Sequence, residues 1–488
     1  MPKVSNESAK PEPTDGIGAT PADNLQAAAQ ARQTNLAARG LSGVQLVEVA
    51  PFGPGGVEHW RLANGLSVLL AADAHAPVVA VHTWLRVGSA DESRGQTGIA
   101  HLLEHLMFKS TLSRPAGTFD RLLEAHGASA NAGTWLDWTM YHATVPAKVL
   151  AQILELEADR LVNLALTPPA VVAELAVVQN ERRETLEDDP DGQVDAALMA
   201  GLYGNTAYGV PTIGQVEDLE KLNKDKVLAF YRKHYAAANA VVVVAGGGDP
   251  NATLADIAKL YGGLPTVALL ARAKPPTAPL AVQLARQTLA IDASASRVAV
   301  AWPTVPLDHP AHPALALLAE VLCGSDAAVL ERILIDAQQL ATSIHCEQSD
   351  LRLGGHFAIR MTLRPGKTAA QALAALDTTL AALHADKLFT PKELVAARTR
   401  LQTDHLRELA GVDGRAEVLG HAWATGLPLS YHATWWAAIA GQTPQSVLTA
   451  AKAWLDPVKR CFVLADPVRR EPTTRKKAAP STVAKASH

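Results

Sequence analysis

Residues 98–108 read Gly-Ile-Ala-His-Leu-Leu-Glu-His-Leu-Met-Phe, an apolar run interrupted by His101, Glu104 and His105. On a helix, positions i, i+3 and i+4 share one face, so both imidazoles and the carboxylate project to the same side. Two histidines four apart can hold one Zn²⁺ at about 2.0–2.1 Å, and a glutamate between them can reach the bound water. The opposite face, Leu102, Leu103, Leu106, Met107 and Phe108, supplies core anchors. A polar triplet in such a segment costs free energy unless something binds there. A chain with 17 His in 488 residues shows this pattern by accident in roughly 3 of 100 random orders.

Outward from this helix the chain repeats one plan. Val78–Leu85 (VVAVHTWL) reads as a strand ahead of it, and Arg297–Val305 followed by His312–Cys323 is the counterpart. Trp138–Val145 leads through Pro146 into the amphipathic run KVLAQILELEADRL; Phe357–Leu363 leads through a Pro-Gly turn into TAAQALAALDTTLAAL. Each half closes on an apolar strand, AVVVVAGG at 240–247 and CFVLADP at 461–467. Strands and helices alternate irregularly, which predicts an α+β fold of two homologous sandwich domains with antiparallel-rich sheets, the product of an internal duplication. The expected organisation is a flexible N-terminal segment 1–44 with a short helix at about 21–38, a zinc-bearing catalytic domain 45–268, and a Pro-rich linker 269–284. A second homologous domain without the zinc motif (285–468) and a basic disordered tail (469–488) complete it.

A catalytic zinc takes three protein ligands and a water, so a third ligand must come from elsewhere. Ala173–Asp188 (AELAVVQNERRETLED) is helical by pattern and rich in acids. Glu174 and Glu181 lie two turns apart on one face and Glu184 a turn further, and spacing alone does not choose among them.

The order His-x-x-Glu-His is inverted relative to the commoner His-Glu-x-x-His zinc motif. GIAHLLEHLMFKST followed by VVQNERRETLEDDP resembles the pitrilysin family of zinc peptidases, which includes the mitochondrial processing peptidases and insulin-degrading enzyme. Asn131-Ala132-x-Thr134, Thr139-x-Tyr141, Tyr208-Gly209-x-Pro211-x-x-Gly214 and Phe230-Tyr231…Tyr235 match as well. The resemblance is close over 45–265 and looser over 285–468. It implies His101, His105 and Glu181 as ligands of one Zn²⁺ per chain, since the family's third ligand lies 76 positions after the second His. It implies Glu104 as catalytic base, Glu174 as a support behind the ligands, and Asn131, Ala132 and Thr134 on an edge strand that a peptide substrate extends. Two such domains form one side of a clamshell. Active members also use an Arg and a Tyr seven residues later; at those positions this chain has Ile335 and Thr342. The implied enzyme is a metallopeptidase that borrows the pair from a homologous subunit in a heterodimer, and the alternative is a non-catalytic zinc-binding scaffold subunit.

Composition removes other classes. Lys plus Arg total 44 against 48 Asp plus Glu, a net charge of −4, which leaves no global footprint for nucleic acid. No stretch reaches the 18 or more apolar residues of a membrane span. Cys323, Cys346 and Cys461 are too few and scattered for a disulfide framework or a thiolate zinc site. No secretory signal is visible, so a cytoplasmic location is expected, or a periplasmic one if a signal has been removed.

Overall fold

The computed structural model describes residues 21–266, 271–276, 281–385 and 389–468. The expected tail 469–488, residues 1–20 of the N-terminal segment, and 269–270 and 277–280 of the linker lie outside them.

The fold is α+β with two sheets. The first has seven strands: β1 (Gln45–Ala50), β2 (Val57–Arg61), β3 (Ser67–Ala72), β4 (Val78–Leu85), β5 (Ser129–Thr134), β6 (Thr139–Pro146) and β7 (Ala240–Gly246). Their order is β1-β2-β3-β7-β4-β6-β5. The second has five: β8 (Arg286–Ile291), β9 (Arg297–Pro303), β10 (Ala341–Gln348), β11 (His356–Leu363) and β12 (Cys461–Pro467), in the order β10-β11-β9-β12-β8. Read from β3, the first sheet repeats the second strand for strand. β3–β7 and β8–β12 are the parallel pairs, and every other pair is antiparallel. The duplication visible in the sequence is thus carried by the strand order of both sheets.

One face of each sheet is covered by helices of its own half. Under the first sheet these include Ile99–Leu106, Leu150–Asn163 and Pro168–Arg182, which bury Leu102, Leu103, Ile153, Leu154 and Val178 against Val79, Val81, Val242 and Val244. The other face is covered by a helix from the opposite half. Pro190–Tyr203 buries Val194, Leu198 and Leu202 on Ala299, Ala301 and Val463 of the second sheet. Val412–Thr425 buries Ala416, Leu419 and Trp423 on Ala80, Trp84 and Val243 of the first. Each sheet is therefore apolar on both faces, which is why β7 is a continuous buried run rather than an alternating one.

Three sequence expectations change here. The helix Pro21–Ala38 is not a free appendage: Ala29 and Leu36 are buried in the first core, and Arg32 makes paired 3.1 Å hydrogen bonds to Glu58. The two halves are not packed as separate units, because Pro190–Tyr203 and Val412–Thr425 are exchanged between them. Finally, Cys323 and Cys346 are joined as a single disulfide, at a Cα–Cα separation of 5.5 Å.

The exchanged helix Val412–Thr425 sits so close to the first sheet that a Cβ on Gly420 would lie 2.0 Å from Nε1 of the fully buried Trp84. Gly420→Ala gains up to about 1 kcal/mol of helix propensity but must displace that ring, at about 1–3 kcal/mol. A net fall in the urea midpoint is expected, and an unchanged or higher midpoint would mean the helix is not seated there.

Candidate metal centre

The helix Ile99–Leu106 begins at Gly98, whose φ of 84° is left-handed and whose missing Cβ would lie 2.5 Å from the Ile213 carbonyl oxygen. Glu92 accepts from the backbone N–H groups of Gly98 and Ala100 at 2.9 Å each, so a half-buried carboxyl group caps the positive end of the helix. With the start fixed and Leu102, Leu103 and Leu106 buried, His101, Glu104 and His105 share the remaining face. The histidine rings stand 4.7 Å apart, centroid to centroid.

The helix Pro168–Arg182 is capped by Thr167, starts on two prolines, and crosses in front of this face. It brings Glu181 Oε1 to 3.6 Å from His101 Nε2 and Oε2 to 3.3 Å from His105 Nε2. One donor atom from each residue lies within 4.8 Å of the others. Ligands about 2.0–2.1 Å from a tetrahedral cation stand about 3.3–3.4 Å apart. The spacing of these atoms and the donor set, two imidazoles and a carboxylate, both fit a zinc ion. Burial, aided by the neighbouring His105, lowers His101 to about 4, so at neutral pH its imidazole keeps a free lone pair.

The three acids that spacing left open separate by environment. Glu181 faces the histidines. Glu174, two turns earlier, is buried behind them: its Oε1 accepts from His105 Nδ1 at 3.0 Å and its Oε2 takes Lys109 Nζ at 2.7 Å. This is the carboxylate–histidine arrangement that fixes a ligand's tautomer and ring orientation. Glu184 is exposed and accepts from Asn180 at 2.6 Å. Lys109, which sequence reasoning missed, balances Glu174; its place four residues after His105 was the available signal.

Glu104 is buried, and burial raises its carboxyl above the ordinary value while a Thr134 hydrogen bond works against that. Thr134 Oγ1 donates to Glu104 Oε2 at 2.6 Å. Thr134 ends β5, an outer strand of the sheet, which among the described residues pairs with β6 alone. Asn131 and Ala132 lie on the same strand, Asn131 exposed and accepting from the Ala132 N–H at 2.9 Å. Of the three strand residues, Thr134 touches Glu104 directly.

Among the described residues the second half has no equivalent centre. Its matching helix, His312–Cys323, buries Leu315, Leu318 and Leu322 in the second core. Ile335 packs into the second core, and the Thr342 hydroxyl donates to the Thr362 carbonyl at 3.2 Å. Arg332 is engaged with Glu393.

Two family models match the chain: "Insulinase (Peptidase family M16)" over residues 67–216 and "Peptidase M16 inactive domain" over 221–401. An uncharacterised zinc protease of Streptomyces coelicolor is 31% identical over 219 residues, covering 45% of this chain and 48% of that protein. The zinc protease PqqE of Helicobacter pylori is 33% identical over 190 residues, covering 39% of this chain and 43% of its own length. The chain thus spans about half the length of the curated relatives it matches. A crystal structure of a protease from Helicobacter pylori superposes with a TM-score of 0.80 over 85% of this chain and 100% of the other, at 23% identity, which establishes the shared fold.

Removing the buried partner of His105 loosens the centre. Glu174→Ala is expected to weaken zinc binding about 10–100-fold, read by competition with a chromogenic chelator. Unchanged affinity would remove Glu174 from any part in orienting His105.

Proposed function

The chain belongs to the pitrilysin-like M16 peptidase family, and on that premise we propose that it is a zinc metalloendopeptidase acting on peptides or unfolded polypeptides. The observation that carries this reading is the convergence of His101, His105 and Glu181 beside a carboxylate, Glu104, that belongs to no ligand set. Zinc held by the three would polarise a scissile carbonyl and acidify a water.

Glu104 takes the proton of the attacking water and returns it to the leaving amine. Thr134 holds one carboxylate oxygen of Glu104 and leaves the other for that proton. Because Thr134 is also the end of an outer strand, a peptide added to β5 would run past the base it serves. Asn131 and Ala132 are then the substrate-facing part of the strand, and Thr134 serves the base. Glu174 and Lys109 keep the His105 ring oriented.

The oxyanion needs further donors. Ile335 and Thr342 cannot supply an Arg/Tyr pair, which supports the reading that a homologous subunit contributes it in a heterodimer. The scaffold alternative gains nothing from a centre whose base and ligands are all present. Pairing of Cys323 with Cys346 favours an oxidising compartment such as the periplasm over the cytoplasm.

Glu104→Gln should keep zinc at the His101/His105/Glu181 centre and lower peptide turnover by about 10²–10⁴-fold, assayed with and without a candidate partner subunit. Full turnover by Glu104→Gln would exclude Glu104 as base. Full turnover by the wild-type chain alone would exclude the borrowed pair, and none in either mixture would favour the scaffold.

A further inference from the structure

A second group of metal-ligating side chains lies on the far face of the first sheet, under the exchanged helix Val412–Thr425. His82 on β4 and His142 on β6 are direct cross-strand partners, so their rings share one face. The first turn of the exchanged helix sets Asp413 on top of them. Asp413 Oδ1 is 2.9 Å from His82 Nε2, 3.4 Å from His142 Nδ1 and 3.1 Å from Thr144 Oγ1. Three groups thus converge on one oxygen, which has two lone pairs to offer. One donor atom from each of His82, His142 and Asp413 lies within 4.8 Å of the others, as in the centre built around His101.

The duplicated half answers the acids of its exchanged helix with different residues. Its exchanged helix, Pro190–Tyr203, begins Pro-Asp-Gly and carries Asp191 and Asp195; Val412–Thr425 begins Val-Asp-Gly and carries Asp413 and Glu417. Asp191 and Asp195 are each met by an arginine of the sheet below, Arg297 on β9 and Arg360 on β11, at 2.6 Å. In strand order β9 corresponds to β4 and β11 to β6. Where one copy has two permanent cations, the other has two imidazoles, and among the described residues neither Asp413 nor Glu417 is paired with a lysine or arginine. His82 is fully buried and its Nδ1 has no partner, while Asp413 is 45% exposed and opens the group to solvent.

We propose that His82, His142 and Asp413 form a second site, for a divalent ion of zinc's class, that ties the second half of the chain to the first sheet. Imidazole with carboxylate selects such ions over calcium or magnesium. The ion supplies positive charge beneath the exchanged helix, as Arg297 and Arg360 do in the duplicate; Thr144 Oγ1, 3.1 Å from Asp413 Oδ1, is a further oxygen beside the group, and Glu417 lies one turn along the helix.

The untagged full chain, stripped by chelator and titrated with Zn²⁺, tests this by stoichiometry and by melting. Wild type should take up two ions and His101→Gln/His105→Gln one. Adding Asp413→Asn, or separately His142→Gln, to that double variant should reduce uptake to none and abolish the rise in melting temperature that zinc produces. Circular dichroism confirms that each variant is folded. No zinc on the folded double variant, or one ion retained after both further substitutions, would overturn the proposal.

Discussion

Two sheets that are apolar on both faces cannot be covered by the helices of their own halves, and the architecture follows from that shortage. Each half supplies helices for one face only and lends a fourteen-residue helix to the other half's open face. The apolar area buried under each lent helix is therefore intramolecular only if both halves are present. Trp84, fully buried between the first sheet and Gly420 of the opposite half, marks how close that contact is. Cutting the chain between its halves would expose one face of each sheet.

Burial on the near face does different work. The helix Ile99–Leu106 presses three leucines into the first core, so the orientation of its polar face is set by packing before any ligand arrives. A carboxylate cap from Glu92 and the close approach of Gly98 to Ile213 and Gly214 hold its start. Glu174, itself held by Lys109, then satisfies the outer nitrogen of His105, and Thr134 satisfies Glu104. The polar residues are costly to bury alone; Glu104 and His105 are each answered by a partner from a different element, whereas His101 Nδ1 has none among the described residues.

How much of this was legible in the sequence depends on how local each feature is. The face shared by His101, Glu104 and His105 needs only helical geometry within five residues, and it could be read directly. The duplication was readable from the repeated order of apolar runs, because each run is long and buried. Choosing Glu181 over Glu184 was beyond spacing, since the choice depends on how one helix crosses another and on a helix end that turns Glu184 toward Asn180. The family resemblance places Thr134 with Asn131 and Ala132 on a strand that a substrate extends; its bond to Glu104 depends on where that strand ends relative to the helix, which no spacing shows. The exchanged helices were invisible for the same reason. Amphipathic patterns show that a helix has an apolar face and not which sheet receives it.

The two halves also show how one scaffold diverges at matching places. In the first half the helix after the opening strand is tied to the outer strand β5 through Glu104 and Thr134; in the second, the same two elements are tied through Cys323 and Cys346. Below the exchanged helices, arginines in one copy face imidazoles in the other. In both comparisons the backbone plan and strand order are unchanged while the chemistry at the junction differs. The duplicated fold therefore constrains where cross-element contacts occur, and the residues at those contacts decide whether a junction is a covalent tie, an ion pair or a place for a metal.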